Sequence, residues 1–531
     1  QIRRNVAFVA FSCMVIGQAY AQSTTTTLNM VVVSGSRNEQ PRDDLPLSMD
    51  VFSDRDMEDK QIGDIKELVK DLPNVSVKHA PARFGVTGAS NSTGRDGNAG
   101  FSIRGLGGNR VLMLIDGTRT PRSYVNGNNA FGRDALSLDL VKRVELVRGP
   151  SSVLYGSDGL AGLVNFISYE PADFLGTSGG EARNIGGRVA ARRSGDDDGL
   201  AVATTVAGRA NESLQWLLTA TARNTRGLDN MGGNDEPNAN RTRPNPQTNR
   251  DNALLGKLVL RPSVWQKHVL TLEHVGKSSD TELLSSRALL LPPPTSTATR
   301  ALVAGESDID NLRRDRLTWD ARYVLNSRWA DQLQTLLSLQ NSDAQDNGRT
   351  VRNDGGVRLR DTRYDEYTLQ ANLQISKSLA MSEYWTQKIT YGLDFTRTEV
   401  TSWFGGSDPA PLAPYVPKKY FPDARDGGTA LYAQSEFSDE RWSVTPGVRV
   451  ERYAVDVTSQ LGYAPPATTP GVSIEGINTS PKLGVLFRFT PQVGFYGNYS
   501  SGFRAPSAAQ LNGFIDPSPG VNARLLPNPD L

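Results

Sequence analysis

Leu317-Thr318-Trp319-Asp320-Ala321-Arg322-Tyr323-Val324-Leu325 changes polarity residue by residue. Successive side chains of an extended strand point to opposite faces, so Leu317, Trp319, Ala321, Tyr323 and Leu325 share one face, and Thr318, Asp320 and Arg322 the other. The same period recurs further along. Tyr367, Leu369, Ala371, Leu373 and Ile375 oppose Glu366, Thr368, Gln370, Asn372 and Gln374. Trp442, Val444, Val448 and Val450 oppose Ser443, Thr445, Arg449 and Glu451. From residue 186 onward one face is apolar and the other carries charge.

The connections between these segments alternate in length. Ala210–Ser213, Pro262–Trp265, Asn326–Asp331 and Thr490–Gln492 are tight, whereas Asn224–Asp251, Gly276–Arg313, Ser342–Asp361 and Trp403–Asp426 are long. Short turns at one rim and long loops at the other are the pattern of a transmembrane antiparallel β-barrel. Such a wall hides its lipid-facing residues in alternation, which fits a hydrophobic content of only 38%. After the first two dozen residues no apolar run approaches the roughly 18 residues that a spanning helix needs. At 531 residues the chain also has room for a second domain.

Residues 1–21 read as a secretory signal: Arg3 and Arg4 start it, Asn5 to Gly17 is mostly apolar, and Ala19-Tyr20-Ala21 offers a cleavage site before Gln22. The chain opens on Gln1, so its start is expected to be clipped. A membrane anchor is the alternative, but the apolar stretch is short for it. The single cysteine, Cys13, lies inside this segment, and a lipoprotein reading fits its neighbours poorly. The rest of the chain offers no thiolate and needs no disulfide. A formal net charge of +1 gives no support for a nucleic-acid partner.

Gln22 to Thr27 is too polar to fold alone. Leu28 to Gly35 (LNMVVVSG) is an isolated β-branched segment, suited either to strand addition onto a partner or to be the first strand of the next domain. Residues 38–170 predict a compact α/β domain. A helix is expected at Asp64–Leu72, with Leu68 and Val69 inward and Pro73 ending it. Strands are expected at Asn74–Lys78, Phe101–Arg104, Val111–Asp116 and Arg143–Arg148. Gly105, Gly107 and Gly108 imitate a phosphate-binding loop, but no helix follows them.

Residues 142–168, KRVELVRGPSSVLYGSDGLAGLVNFIS, and Phe101–Arg119, FSIRGLGGNRVLMLIDGTR, resemble the plug signature of TonB-dependent outer-membrane receptors. The matching positions include Arg104, Asp116, Glu145, Arg148, Gly149, Pro150, Tyr155 and Gly156. The resemblance implies a monomer in the outer membrane of a Gram-negative bacterium, with the 38–170 domain plugging a barrel that starts at residue 186. A complete barrel of this kind has about 22 strands, and residues 186–531 hold about thirteen, so the chain is expected to stop short and leave a gap in the wall. Residues 22–37 would be a periplasmic tether whose Met30, Val31, Val32, Val33, Ser34 and Gly35 form the TonB box, the strand that pairs with the inner-membrane transducer TonB. Arg104, Glu145 and Arg148 are expected to face the polar barrel wall and to satisfy each other or luminal carboxylates, rather than to touch the ligand.

Phe503-Arg504-Ala505-Pro506 and Asn528-Pro529-Asp530-Leu531 look like the FRAP and NPxL boxes of haem and haemoprotein (haemoglobin, transferrin, lactoferrin) receptors. They would stand in the seventh outer loop. Haem would then be a transported ligand rather than a permanent cofactor, taken free or from a haemoprotein such as haemoglobin; a ferric siderophore is the alternative. One departure matters: Ser507 to Pro527 holds neither His nor Tyr, the side chains that ligate haem iron most readily. His79 and Tyr124 are the remaining candidate iron ligands. His268 and His274 share a face with Leu270 and Leu272 and are expected to point outward, about 20 Å apart. An enzyme is not indicated, since there is no HExxH and no histidine beside a candidate nucleophile. A passive porin is the reading from a different class.

Overall fold

The computed structural model describes residues 31–77, 100–126, 129–131, 135–178, 181–288, 302–409, 418–463, 470–490, 493–514 and 527–528. His79 lies outside this set, and Tyr124 is described by its backbone alone.

The N-terminal domain begins with a short ladder, β1 (Val31–Val32) on β2 (Gln40–Pro41). Next come β3 (Ser48–Ser53), α1 (Asp54–Asp59), α2 (Ile65–Val69), β4 (Val75–Val77), β5 (Phe101–Ile103), β6 (Val111–Ile115) and β7 (Thr118–Arg119). The domain continues with β8 (Tyr124–Asn126), β9 (Asn129–Phe131), β10 (Val141–Arg148), α3 (Ser152–Tyr155) and β11 (Gly162–Ser168). Five strands form one sheet in the order β3-β10-β11-β6-β7, with β11 and β6 parallel. Apolar side chains are buried on both of its faces, which is why β6 reads VLMLI without alternation. One face packs Met113, Val144 and Phe166 against Leu68 and Val69 of α2, and the other packs Leu112, Leu114 and Leu163 against Val32 and Leu45. Asp64 caps α2 by accepting from the Glu67 amide at 2.8 Å. No sequence periodicity announces α1, because DRDMED carries no apolar stripe; its Ser53–Asp56 capping box starts it instead.

After the hairpin β12 (Thr177–Ser178) and β13 (Glu181–Ala182), the chain enters the wall. Its strands are β14 (Ile185–Arg193), β15 (Leu200–Arg209), β16 (Leu214–Arg226), β17 (Gln247–Ser263), β18 (Gln266–Glu282), β19 (Val303–Val324) and β20 (Gln332–Arg352). The rest are β21 (Val357–Ala380), β22 (Thr386–Ser407), β23 (Asp423–Ser438), β24 (Trp442–Ser459), β25 (Ile474–Arg488) and β26 (Gly494–Ser500). They form a 13-stranded antiparallel sheet in sequence order, in which β14 and β26 are edges and do not pair with each other.

The polarity of this sheet is inside out. Leu272 (58%), Leu431 (64%) and Leu317 (40%) are exposed, while Arg314 (0%), Arg316 (2%) and Glu273 (7%) are buried under the N-terminal domain. That is stable where the outer medium is hydrocarbon. Exposed aromatics, among them Trp265, Trp329, Tyr384, Trp442 and Phe489, mark the rim of short turns, as an interfacial girdle does. His268 and His274 lie on the outward face as expected; His268 stacks with Trp319 at 6.1 Å, and His274 meets Asp315 at 2.6 Å.

One expected loop is not a loop. Ser342–Asp361 is mostly strand, with β20 running to Arg352 and β21 starting at Val357. The outward positions there are Asp343, Gln345 and Asn347, as polar as Ser342 and Asp346 on the inner face, so alternation disappears from the sequence while the backbone ladder continues. At 24 residues β21 is far longer than the roughly ten needed to span lipid.

Candidate functional site

The N-terminal domain sits in the lumen and is tied to the wall by charge. Asp116, which ends the β6 run, accepts from the amide and hydroxyl of Ser168. It faces Arg316 at 3.4 Å and Lys257 at 3.5 Å. Burial alone would raise this carboxyl, but Lys257 and Arg316 outweigh it and hold it well below the usual carboxylate range. Arg314 and Arg316 share Glu273, and they also donate to the carbonyls of Ala135 (2.7 Å) and Ile115 (2.8 Å). The buried charges are therefore paired across the domain boundary, as burial demands.

Glu145 and Arg148 turn out differently from expectation. Among the described residues neither pairs with the wall. Glu145 accepts from the amides of Val33 (3.1 Å) and Ser34 (2.8 Å) and pairs with Arg143. Arg148 pairs with Asp50 at 2.6 Å. Both lie on β10, whose neighbours are β3 and β11, so their partners are domain-internal. Arg104 is exposed, and its amide donates to the Asn74 carbonyl at 2.7 Å.

The segment read as a periplasmic tether is held against the plug in its described part. Val31–Gly35 is docked: Val32 is fully buried beside Leu45 and Leu163, and Ser34 is buried too. Val31 remains half exposed, and Met30 lies outside the described residues. The segment docks because Glu145 supplies an acceptor to two backbone amides that would otherwise be buried unpaired. Arg37 then fastens it to the wall. It forms a bidentate pair with Asp394 (3.0 and 2.8 Å), while Arg449 reaches the same carboxylate at 2.6 Å. This end faces the short turns, since Asn38 meets Thr390 and Asp44 meets Arg488 near the strand ends there.

The opposite end carries a strap. Leaving β26 at the long-loop rim, residues 501–514 turn inward over the plug signature. The Ser152 hydroxyl accepts from the Phe503 amide at 2.9 Å and donates to the Phe503 carbonyl at 3.3 Å. The Ser157 hydroxyl accepts from the Ala505 amide at 3.0 Å, and the Pro150 carbonyl accepts from the Ser500 hydroxyl at 3.1 Å. Gly502 eases this approach, because a Cβ there would sit 3.3 Å from both the Leu160 Cα and the Pro150 Cβ. Asp158 gathers Arg119 (3.4 Å), Arg122 (3.1 Å) and Arg504 (3.7 Å), and Arg122 continues to Asp426 of the wall at 2.9 Å. Pro506 precedes α4 (Ala508–Asn512), whose Ala508 and Leu511 pack on Tyr364 and Phe421.

Beyond α4, Phe514 lies 5.6 Å from both Tyr420 and Tyr463, and Tyr420 lies 4.5 Å from Phe404. The Lys418 ammonium sits 5.4 Å over Tyr420. The Asn528 amide donates to the Leu511 carbonyl at 2.8 Å, so the two boxes are joined through α4. Pro529 and Leu531 lie outside the described residues. The strap follows the seventh connection-bearing rim of the sheet, so its position agrees with the expected outer loop. Its inward course over the plug was not anticipated, and neither were Arg37, Ser152, Ser157 and Asp158. Glu273, Arg314 and Arg316 were findable as charges at inward positions of strands.

Comparison with known proteins bears on both parts. A model described as TonB-dependent Receptor Plug Domain matches residues 41–163, and one described as TonB dependent receptor-like, beta-barrel matches residues 268–531. A hemin receptor of Yersinia enterocolitica is 24% identical over 517 residues, covering 95% of this chain and 64% of that protein. The Serratia marcescens hemophore receptor HasR, solved with its hemophore and heme, superposes with a TM-score of 0.65 at 18% identity, covering 92% of this chain and 68% of that one. The unliganded ferric citrate transporter FecA gives a TM-score of 0.62 at 18% identity, covering 88% and 64%. The chain spans less than two thirds of the length of the curated relatives it matches.

Proposed function

The chain belongs to the TonB-dependent outer-membrane receptors, and from that premise we propose that it captures haem, free or drawn from a haemoprotein such as haemoglobin, and imports it. The outer loops and the strap receive the ligand, the plug bars the lumen, and TonB pulls on residues 31–35 to displace the plug. A pull there must strip Val32 from its pocket and Val33 and Ser34 from Glu145, which lies on the central sheet. The wall itself needs no fuel.

The observation that carries the ligand is that similarity to a hemin receptor runs along 95% of the chain, and the chain itself carries both boxes. The aromatic group Phe404, Tyr420, Tyr463 and Phe514 supports it, since planar macrocycles stack on such faces. Tyr420 and Tyr463 stand against the His- and Tyr-free stretch after the first box, which supplies phenols where that stretch has none. That same stretch favours the second reading, a ferric siderophore, whose iron arrives already ligated. The test is a spectral titration of the purified receptor with hemin, paired with growth on hemin or haemoglobin as sole iron source. A saturable shift of the visible bands and receptor-dependent growth are expected. Unchanged spectra, with normal growth of a deletion strain on both sources, would reject haem in favour of the siderophore.

A further inference from the structure

We propose that the inner face of β19, β20 and β21 holds a divalent cation, calcium by its donor chemistry, near the outer mouth. The inference goes beyond the import reading and does not depend on the cargo. Asp308 and Asp310 of β19 and Asp346 of β20 each offer a carboxylate oxygen, and the three oxygens lie within 4.8 Å of one another. Oxygens around a calcium ion stand about 2.3–2.6 Å from it, so those on opposite sides are up to about 5 Å apart. The register sets this geometry. Asp310 is the direct cross-strand partner of Asp346, and Asp346 is that of Thr362 on β21. Asp308 shares the inner face, two positions along from Asp310.

Thr362 supplies what a group of carboxylates alone does not. It is 1% exposed, and among the described residues its hydroxyl has no hydrogen-bond partner. Buried polar groups need partners, and directly opposed residues on one face bring their side chains together. A cation held by the aspartates gives this hydroxyl oxygen something to coordinate. Oxygen continues on the other side, where Ser279 stands opposite Asp310 and Thr281 opposite Asp308 on β18. An all-oxygen set selects a hard ion. Irregular placement of protein ligands suits calcium better than magnesium, which keeps its waters and an octahedral shape. His268 and His274 point outward and supply no nitrogen here. Ala344 and Tyr364, the neighbouring inward positions on β20 and β21, cluster with Ala508 and Leu511 of α4. The ion therefore joins three strands just outside the seat of the strap and fixes their outer ends.

The experiment is a calcium titration of the full receptor, stripped with a chelator and placed in phosphatidylcholine vesicles. Two signals follow it: luminescence of terbium that calcium displaces, and hydrogen exchange at the amides of Asn347 and Gly348. One saturable site is expected, with an affinity on the order of 0.1–1 mM, as in extracellular calcium modules. Calcium should slow exchange at both amides several-fold. Asp310→Asn with Asp346→Asn should abolish saturable binding, and Thr362→Val should weaken it several-fold. Asp343→Asn, on the outer face of β20, should leave it unchanged. If the double variant fails to enter vesicles folded, Asp308→Asn alone is read in the same way and should weaken binding. An unchanged titration in the aspartate variants, an equal loss in Asp343→Asn, or binding that never saturates (an adventitious ion only) overturns the site. Equal displacement of terbium by magnesium overturns the assignment to calcium.

Discussion

Arg37 lies with its guanidinium 4.8 Å from the ring centre of Tyr155, a residue of the plug signature. Tyr432 of the wall faces the same cation at 4.5 Å, and Asp394 takes its charge. Three parts of the molecule therefore converge on one side chain. Arg37→Ala removes the stack and leaves Asp394 with Arg449 and the Asn372 side-chain amide, at a cost of about 3 kcal/mol for breaking a buried pair. Segment 31–37 should become open to protease in the unliganded receptor. Arg37→Lys keeps charge but loses the planar fork, so cleavage should be intermediate. Equal resistance in all three proteins would show that Arg37 does not hold the segment.

Asp116 sets a pH dependence. Its carboxyl is depressed in the folded state, because Lys257 and Arg316 outweigh burial. Its stabilising contribution is therefore complete above the unfolded value of about 4 and fades as pH falls toward the lower folded value. Thermal unfolding of Asp116→Asn should lie roughly 3 kcal/mol below the unsubstituted receptor at pH 7. The gap should narrow below pH 4. A gap constant from pH 3 to pH 7 would contradict the pairing.

Gly156 closes the plug against the wall. Its φ is +76°, and an added Cβ would stand 2.5 Å from Glu451 and 2.8 Å from Arg449. Gly156→Ala should cost about 1–3 kcal/mol through backbone strain alone, and should seat the plug poorly. Cells carrying it should admit large polar antibiotics that cells with the unsubstituted receptor exclude. Unaltered sensitivity would mean the contact is slack.

The outward face makes a prediction about lipid. Leu317→Arg puts a charge on the apolar band and should cost about 2–4 kcal/mol of folding into bilayers. Leu461→Arg, on the 83% exposed Leu461 of the connection 460–473, should cost nearly nothing. Equal effects would argue that the face carrying Leu317 does not meet hydrocarbon.

The wall was legible in the sequence wherever lipid on one side and charge on the other imposed a period of two, as at Leu317–Leu325 and Glu366–Ile375. It ceased to be legible at Ser342–Asp361, where polar residues on both faces removed the contrast although the ladder went on. Lys142–Ser168 could be read as a plug because that run resembles a known signature. The partners of Glu145 and Arg148 could not, because pairing depends on which strands flank β10. The docking of 31–37 and the strap are contacts between residues hundreds of positions apart. Arg37 meets Asp394, Ser152 meets Phe503, and no local pattern announces either. Arg37 in addition adopts a positive φ of 61°, a conformation its side chain does not signal.

Import driven through the docked segment should show itself in energised uptake of hemin. Whole cells expressing the receptor should accumulate hemin saturably. Accumulation should stop when the proton gradient is collapsed, and also when Val32 and Ser34 are both replaced by proline, which cannot join a strand ladder as donor. Hemin entry that continues unchanged under both conditions would mean the lumen conducts passively, and the account of a plug moved by its docked segment would be wrong.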